Sequence, residues 1–195
     1  MNHRELNICF LGNPEVGKSC IINPQLNEYV PTIENRSKKP MQINNKFFDF
    51  NIFDTAGAKE LNYLSKNSIK QCDLFVVVCS LTDDKSIDSI QYYIDLIQDC
   101  LNRKIDIPMI IVANKLDILG DVDNPIVKNQ IKRINKKFNN TQCIISSSKN
   151  SDTISNILKS LMKQVDLIEK NRKQQLNYQS SPLRNIKILR KIKIF

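Results

Sequence analysis

This chain of 195 residues lacks any apolar run near the ~20 residues that a membrane-spanning helix needs, and the apolar stretch behind its polar start is too short for a signal peptide core. Its six cysteines show no C-x-x-C spacing, and several lie inside apolar runs, where a thiol packs as a small hydrophobe. These absences predict a soluble or peripheral protein of the reducing cytoplasm.

Acidic residues are missing from residues 170–195, which carry eight Lys and Arg side chains. Because the whole chain has 29 basic and 20 acidic residues, the part before this segment is close to neutral. This division predicts one domain over residues 1–169 and a basic C-terminal tail over residues 170–195. A near-neutral domain argues against a nucleic-acid groove across it, so nucleic acid is not an expected partner.

Strand-like and helix-like patterns alternate along the chain. The segments 73–79 and 108–113 are continuously apolar, which is typical of strands buried on both faces of a parallel sheet. A hairpin is predicted for 38–43 and 46–53 about Asn44-Asn45. Further strands are expected at 6–11 and 143–146, and helices where apolar residues recur at helical spacing, over 87–101 and 154–168. The alternation predicts an α/β fold that binds its ligand at the carboxyl ends of the strands.

The segment from Gly12 to Ser19 reads G-N-P-E-V-G-K-S and directly follows the first predicted strand. It matches the phosphate-loop pattern G-x-x-x-x-G-K-[ST], in which consecutive backbone N–H groups surround phosphate oxygens at the start of a helix. Lys18 is then expected to reach the outer phosphates, and Ser19 to bind Mg²⁺. The residues expected to contact phosphate are Gly12, Asn13, Pro14, Glu15, Val16, Gly17, Lys18, Ser19 and Cys20.

Four more segments follow in a fixed order, and three of them stand at the ends of predicted strands. They are Pro31-Thr-Ile-Glu34, Asp54-Thr-Ala-Gly57, Asn114-Lys-Leu-Asp117 and Ser147-Ser-Lys149. In this order and spacing the chain resembles the Ras-like small GTPases over about residues 6–168, and the first of these segments favours the Ras subfamily. The resemblance implies a P-loop NTPase fold, with a doubly wound, mostly parallel six-stranded sheet and helices on both faces.

The resemblance implies GTP or GDP as the ligand and a conformational switch as the function. Asn114 and Asp117 are expected to select guanine, because the carboxylate can accept two N–H bonds from guanine and adenine has neither donor there. The other expected base contacts are Lys115, Ser147, Ser148 and Lys149. Mg²⁺ is expected to be held by Ser19, Thr32 and Asp54, and the catalytic set is Lys18, Thr32 and Gly57. Release of Thr32 when the γ-phosphate is lost is the expected switch.

The first departure from the family is Ala58, which stands where a Gln usually orients the attacking water. An alanine side chain has nothing to donate, so GTP hydrolysis is expected to be slow. Lys59 and Glu60 are near enough to be considered as substitutes for this Gln, but a solvated helix start is the favoured role for both.

Other departures lie in and after the phosphate loop. Pro14 offers no N–H, and Glu15 adds negative charge near the phosphates, so both are expected to weaken binding. The interval from Ser19 to Thr32 is about five residues shorter than in the family, which removes roughly 7 Å of helix. Pro24 is expected to end this helix near Asn23. The interval is either a true shortening or a sign that the sequence lacks a piece.

The expected partners follow from the resemblance. Effectors, exchange factors and activating proteins are expected at residues 29–37 and 57–70. No cysteine follows Cys143 in this sequence, so C-terminal prenylation is not expected. The basic and aliphatic segment 183–195 predicts either attachment to an anionic membrane or a disordered, solubilising tail. A degenerate GTPase that works as a non-hydrolysing scaffold is the alternative to the switch.

Overall fold

The computed structural model describes residues 4–23, 34–57, 62–102, 107–150 and 152–180; of residues 62–64 and 167–180 it describes the backbone. The strands are β1 (Arg4–Leu11), β2 (Glu34–Ile43), β3 (Lys46–Thr55), β4 (Leu74–Ser80), β5 (Met109–Asn114) and β6 (Gln142–Ile145). The helices are α1 (Lys18–Ile22), α2 (Asn62–Gln71), α3 (Asp84–Asp88), α4 (Ile90–Leu101), α5 (Leu116–Leu119), α6 (Pro125–Lys137) and α7 (Thr153–Ser180).

The six strands form one sheet in the order β2-β3-β1-β4-β5-β6. Every neighbouring pair is parallel except β2 and β3, which form an antiparallel hairpin. The chain therefore winds outward from β1 in both directions, and the predicted α/β class with a mostly parallel six-stranded sheet is confirmed. In the hairpin, Asn44 and Asn45 both have positive φ, at 50° and 61°, as a two-residue turn between twisted strands requires.

Two apolar cores lie on opposite faces of the sheet. One joins the sheet to α3, α4 and α6 through residues such as Phe75, Ile90 and Ile97, and the other joins it to α1 and α7 through residues such as Phe10 and Phe50. Their central side chains are fully buried, because β1, β4 and β5 are covered on both sides. The sheet is thus a rigid platform whose strand ends can hold a ligand.

Three predictions about helices can be compared with the structure. The helical structure expected over 87–101 is present as α3 and α4, which meet at Ser89. Ser89 keeps a right-handed helical conformation, and both its N–H, at 3.1 Å, and its hydroxyl, at 2.8 Å, donate to the Lys85 carbonyl. The early end of α1 is confirmed, with Asn23 following its last residue, Ile22. Helix α7 continues beyond residue 169 to Ser180, and the division into domain and tail stays a prediction. Among the described residues, none of the helices combines the length and apolar character of a membrane span.

Candidate functional site

Four of the predicted motifs converge because they follow parallel strands of the same sheet. The phosphate loop follows β1, the Asp54 motif ends β3, the Asn114 motif ends β5, and the Ser147 motif follows β6. Parallel strands place their carboxyl ends at one edge of the sheet, so these segments share that edge. Thr32 and Ala58 lie outside the described residues, and their predicted roles stay predictions.

Lys18 is buried beneath the phosphate loop, with 6% of its surface exposed. Its Nζ donates to the carbonyl oxygens of Gly12 at 2.9 Å and Asn13 at 3.0 Å. An ammonium group has three N–H donors, so these two bonds leave one for a phosphate oxygen. Burial lowers the pKa of Lys18 to about 8, while the nearby Asp54 carboxylate acts in the opposite direction. Burial of the Lys18 ammonium therefore carries a desolvation cost, which an anionic ligand bound in the loop would offset.

Asp54 and Ser19 form the second part of the phosphate end. The Ser19 hydroxyl donates to Asp54 Oδ2, which brings the two predicted Mg²⁺ ligands together from α1 and β3. The other carboxylate oxygen, Oδ1, is buried and has no hydrogen-bond partner among the described residues. Burial raises the pKa of Asp54, and the Ser19 hydroxyl and Lys18 oppose this shift. An orphaned carboxylate oxygen beside a hydroxyl is a donor set that suits Mg²⁺, so the residues present fit this cation.

Gly17 and Asn114 connect the phosphate loop to the end of β5. Gly17 begins α1 with φ 94°, and a Cβ there would lie 2.4 Å from Asn114 Nδ2, so only glycine fits. Asn114 is fully buried; its Nδ2 donates to the Val16 carbonyl at 3.0 Å, and its Oδ1 accepts from Ser146 Oγ at 3.1 Å. Asn114 therefore links its own motif by hydrogen bonds to the phosphate loop and to the segment before Ser147. Its contact with the base, expected from the sequence, stays a prediction.

Gly57 lies directly against the phosphate loop. A Cβ on Gly57 would come within 2.3 Å of Pro14 N and 2.5 Å of the Asn13 carbonyl carbon, so no larger residue fits there. Pro14 and Glu15 are exposed, and Glu15 has φ 61°, a left-handed conformation that is unusual for a side-chain-bearing residue. Pro14 and Glu15, the two residues that differ from the family pattern, thus lie on the exposed side of the phosphate loop, and Gly57 contacts the loop at Pro14.

The base end is built around Asp117, which is only partly exposed. Its Oδ1 accepts from Ser147 Oγ at 2.8 Å, and its Oδ2 pairs with Lys149 Nζ at 2.9 Å. Partial burial acts to raise the pKa of Asp117, but the hydrogen bonds from Lys149 and Ser147 together lower it. The carboxylate is therefore ionised and positioned to accept N–H donors from a ligand. Lys115, in the left-handed conformation with φ 69°, and Ser148 are half-buried beside it.

The remaining predicted residues differ in burial. Val16 is buried in the core on the α1 and α7 face, while Cys20 is half-buried on α1. Sequence reasoning missed Ser146, which orients Asn114, and also Ser89 and Tyr93, which bond to the Asn13 side chain. Ser146 stands next to a predicted motif and could have been found there. Ser89 and Tyr93 lie far away in the chain, and no local pattern marks them.

Comparison with known proteins agrees with this geometry. The sequence model of the Ras family matches residues 7–167. The chain is 36% identical to the Ras-like protein rasU of Dictyostelium discoideum and 32% identical to the Ras-like protein rasZ of the same organism, each over 60% of this chain and 56% of the relative. It is 29% identical to the protein ras-1 of Neurospora crassa over 83% of this chain and 76% of that protein. The chain thus spans about half the length of the two Dictyostelium relatives. Because the family match covers most of the chain and the motifs converge at one edge of the sheet, the chain belongs to the Ras family.

Proposed function

We propose that this chain is a guanine-nucleotide-binding switch that holds GTP or GDP together with Mg²⁺ and hydrolyses GTP slowly. The observation that carries the proposal is the presence at one sheet edge of a buried cation, Lys18, and an ionised acceptor, Asp117. The first suits a polyphosphate and the second suits the two N–H donors of guanine. One ligand with both groups is a guanine nucleotide.

At the phosphate end, the proposed ligand is bound by the positive charge of Lys18 and by N–H groups that point toward it. Lys18 supplies a positive charge and an N–H group, and the start of α1 adds backbone donors that point toward the loop. Ser19 and Asp54 would hold Mg²⁺, which, when bound, neutralises charge that develops on the phosphate oxygens. The Gly57 N–H is the proposed donor to the γ-phosphate.

Slow hydrolysis follows from Ala58, which cannot orient a water molecule. Single-turnover assays with γ-labelled GTP provide the test, and Ala58→Gln is expected to speed turnover about tenfold or more. A wild-type rate equal to or above that of the Gln variant would overturn this part of the proposal.

The identity of the bound nucleotide is tested by analysis of the nucleotides that co-purify with the protein. Protein purified in Mg²⁺ is denatured and the released nucleotides are separated by chromatography; GDP or GTP is expected. Competition of fluorescent GDP with ATP gives the selectivity, and Asp117→Asn is the matched control for the base end. Equal affinity for adenine and guanine nucleotides would contradict the assignment of the pocket.

A scaffold that binds nucleotide permanently or poorly is the second candidate. Ala58, which cannot orient water, Pro14, which offers the loop no N–H, and the early end of α1 favour it. The two candidates differ in nucleotide exchange: a switch releases GDP and accepts GTP, whereas the scaffold either keeps one nucleotide or holds none.

Effectors, exchange factors and activating proteins are proposed to bind around residues 29–37 and 57–70. These two segments are in contact, because Ser68 Oγ on α2 donates to the Glu34 carboxylate at 2.8 Å.

Attachment of the basic segment 183–195 to anionic membranes from the cytoplasmic side is a further part of the proposal. Each basic charge is expected to contribute about 1 kcal/mol near such a surface. Deletion of residues 183–195 should therefore reduce co-sedimentation with phosphatidylserine-rich vesicles, and added salt should weaken binding of the intact chain. Equal binding to neutral vesicles, or no loss on deletion, would favour a solubilising tail.

A further inference from the structure

The side chain of Asn13 connects the phosphate loop to the junction of α3 and α4. Its Oδ1 accepts from the Tyr93 hydroxyl at 3.1 Å, and its Nδ2 donates to Ser89 Oγ at 3.2 Å. The partners lie 80 and 76 positions away in the chain. Both polar atoms of the Asn13 amide are thus engaged away from the loop, and Asn13 meets a ligand through its backbone.

The hydrogen bonds of this connection form a single directed chain. The Tyr93 hydroxyl donates to Asn13, Asn13 donates to Ser89, and Ser89 donates to the Lys85 carbonyl at 2.8 Å. Tyr93 is 5% exposed, and burial raises its pKa to about 12, so its hydroxyl remains a donor at neutral pH. Each group therefore has a defined role as donor or acceptor, which fixes the orientation of the Asn13 amide.

The position of Asn13 determines the surroundings of the ligand. Its carbonyl oxygen accepts one of the bonds from Lys18 Nζ, and its carbonyl carbon lies where Gly57 meets the loop. By contrast, the next two loop residues, Pro14 and Glu15, are exposed. A shift of Asn13 would therefore move both the Lys18 ammonium and the Gly57 contact.

Helix α4 does not need this connection for its own placement. Its residues Ile90 and Ile97 are fully buried in the core, and its last turn ends at Asn102 in the left-handed conformation. The hydrogen bonds thus join the loop to a helix that its own buried side chains also hold against the core.

We propose that Asn13 is a positioning residue whose side chain, held by Tyr93 and Ser89, fixes the first turn of the phosphate loop for nucleotide binding. This inference rests on the proposed nucleotide site. Tyr93 acts through Asn13, and Asn13 acts through the backbone that it holds in place.

The test uses Asn13→Ala and Tyr93→Phe, which remove the bridging amide and the hydroxyl. Asn51→Ala is the matched control, because it also removes an asparagine hydrogen bond, from Asn51 Nδ2 to Asn7 Oδ1 at 3.0 Å, near the start of β4 and away from the loop. Two readouts are measured on the full chain: release of fluorescent GDP, and hydrogen exchange of backbone amides 12–19 without nucleotide.

Tyr93→Phe, which loses one hydrogen bond, should speed GDP release about threefold to tenfold. Asn13→Ala, which loses two, should have at least as large an effect, and the double variant should be no faster than Asn13→Ala alone. Exchange of amides 12–19 should rise in the same variants, while Asn51→Ala should change neither readout.

Unchanged exchange in both variants, or an equal rise in Asn51→Ala, would overturn the positioning role. Multiplicative effects on GDP release in the double variant would also overturn it, because the two groups would then act separately. If the wild-type chain binds no guanine nucleotide, the proposed function fails, and the exchange measurement still decides on the connection.

Discussion

The two carboxylates of the site lie in opposite environments. Asp54, at the phosphate end, is buried; burial raises its pKa, and one of its oxygens has no partner among the described residues. Asp117, at the base end, is partly exposed, and both of its oxygens are engaged, by Ser147 and Lys149. Partial burial by itself would raise the pKa of Asp117, but these hydrogen bonds lower the pKa below its ordinary value.

This difference teaches what each end requires from a ligand. At the phosphate end, the buried ammonium of Lys18 and the Asp54 oxygen that has no partner in the described ranges are costly groups that an anion and a cation would satisfy. At the base end, each oxygen of Asp117 already has one protein partner, so a base adds to binding only when its N–H donors match the acceptor sites that remain on the carboxylate. Affinity is therefore expected to come from the phosphate end and selectivity from the base end.

The sharpest test of this division replaces one lysine at each end. Lys18→Met should weaken GDP binding about 100-fold, since hydrogen bonds to charged groups contribute about 1.5–3 kcal/mol and the charge is lost as well. The free energy of unfolding of the nucleotide-free protein should change by less than about 1 kcal/mol, because removal of the buried charge offsets the loss of its hydrogen bonds to the Gly12 and Asn13 carbonyls. Fluorescent GDP titration and urea unfolding measure the two effects.

Lys149→Met is the control, because Lys149 is 79% exposed and pairs only with Asp117 in the described part of the chain. It should cost less than about tenfold in GDP affinity. A larger loss from Lys149→Met than from Lys18→Met would reverse the proposed division between the two ends.

Selectivity is tested by Asp117→Asn, which removes the ionised acceptor. GDP affinity should fall about 30-fold, equivalent to about 2 kcal/mol, and xanthine nucleotides should bind better than they do to the wild type, because the amide can donate to the xanthine oxygen. Asp54→Asn serves as the control and should leave the ratio of the two affinities unchanged. Competition of both nucleotides with fluorescent GDP measures this ratio, and an unaltered ratio in Asp117→Asn would contradict the assignment.

Much of this site could be predicted from the sequence, because its main residues stand in short motifs at strand ends. The continuous apolar runs predicted β4 and β5 to within a residue or two, and Asn44-Asn45 predicted the turn of the hairpin. The pairing of Asp54 with Ser19 and of Asp117 with Lys149 follows once the strands are parallel neighbours.

Other features depend on contacts between distant residues and have no local signal. The bridging role of Asn114 is decided by the Val16 carbonyl and by Ser146, and the Asn13 side chain finds its partners on α4 and at its start. In both cases hydrogen bonds between residues distant in the chain, which no local pattern marks, determine the arrangement.

Removal of the metal should affect the two ends differently. Chelation of Mg²⁺ is expected to speed GDP release about tenfold in the wild type, because Asp54 and Ser19 then hold no cation beside the phosphates. The same acceleration is expected in Asp117→Asn, whose phosphate end is intact, whereas Asp54→Asn should respond little. Release of fluorescent GDP with and without EDTA provides the measurement. An equal response of Asp54→Asn and the wild type would exclude Asp54 from the metal site.

The smallest expected effect is a pH dependence that belongs to the phosphate end alone. Burial lowers the pKa of Lys18 from its ordinary 10.5 to about 8, so the ammonium loses its proton as the pH rises through this value. Affinity for GDP in Mg²⁺-free buffer should therefore fall about fourfold between pH 7 and pH 8.5. The stability contribution has the opposite sign: between about 8 and 10.5 the unfolded chain binds more protons than the folded one, so the free energy of unfolding should rise with pH. Lys18→Arg, which stays charged, should show a flatter affinity profile, and Lys18→Met should lose the rise in stability. Parallel profiles for the wild type and Lys18→Arg would show that another group titrates, and the buried lysine would then not be the source of affinity at the phosphate end.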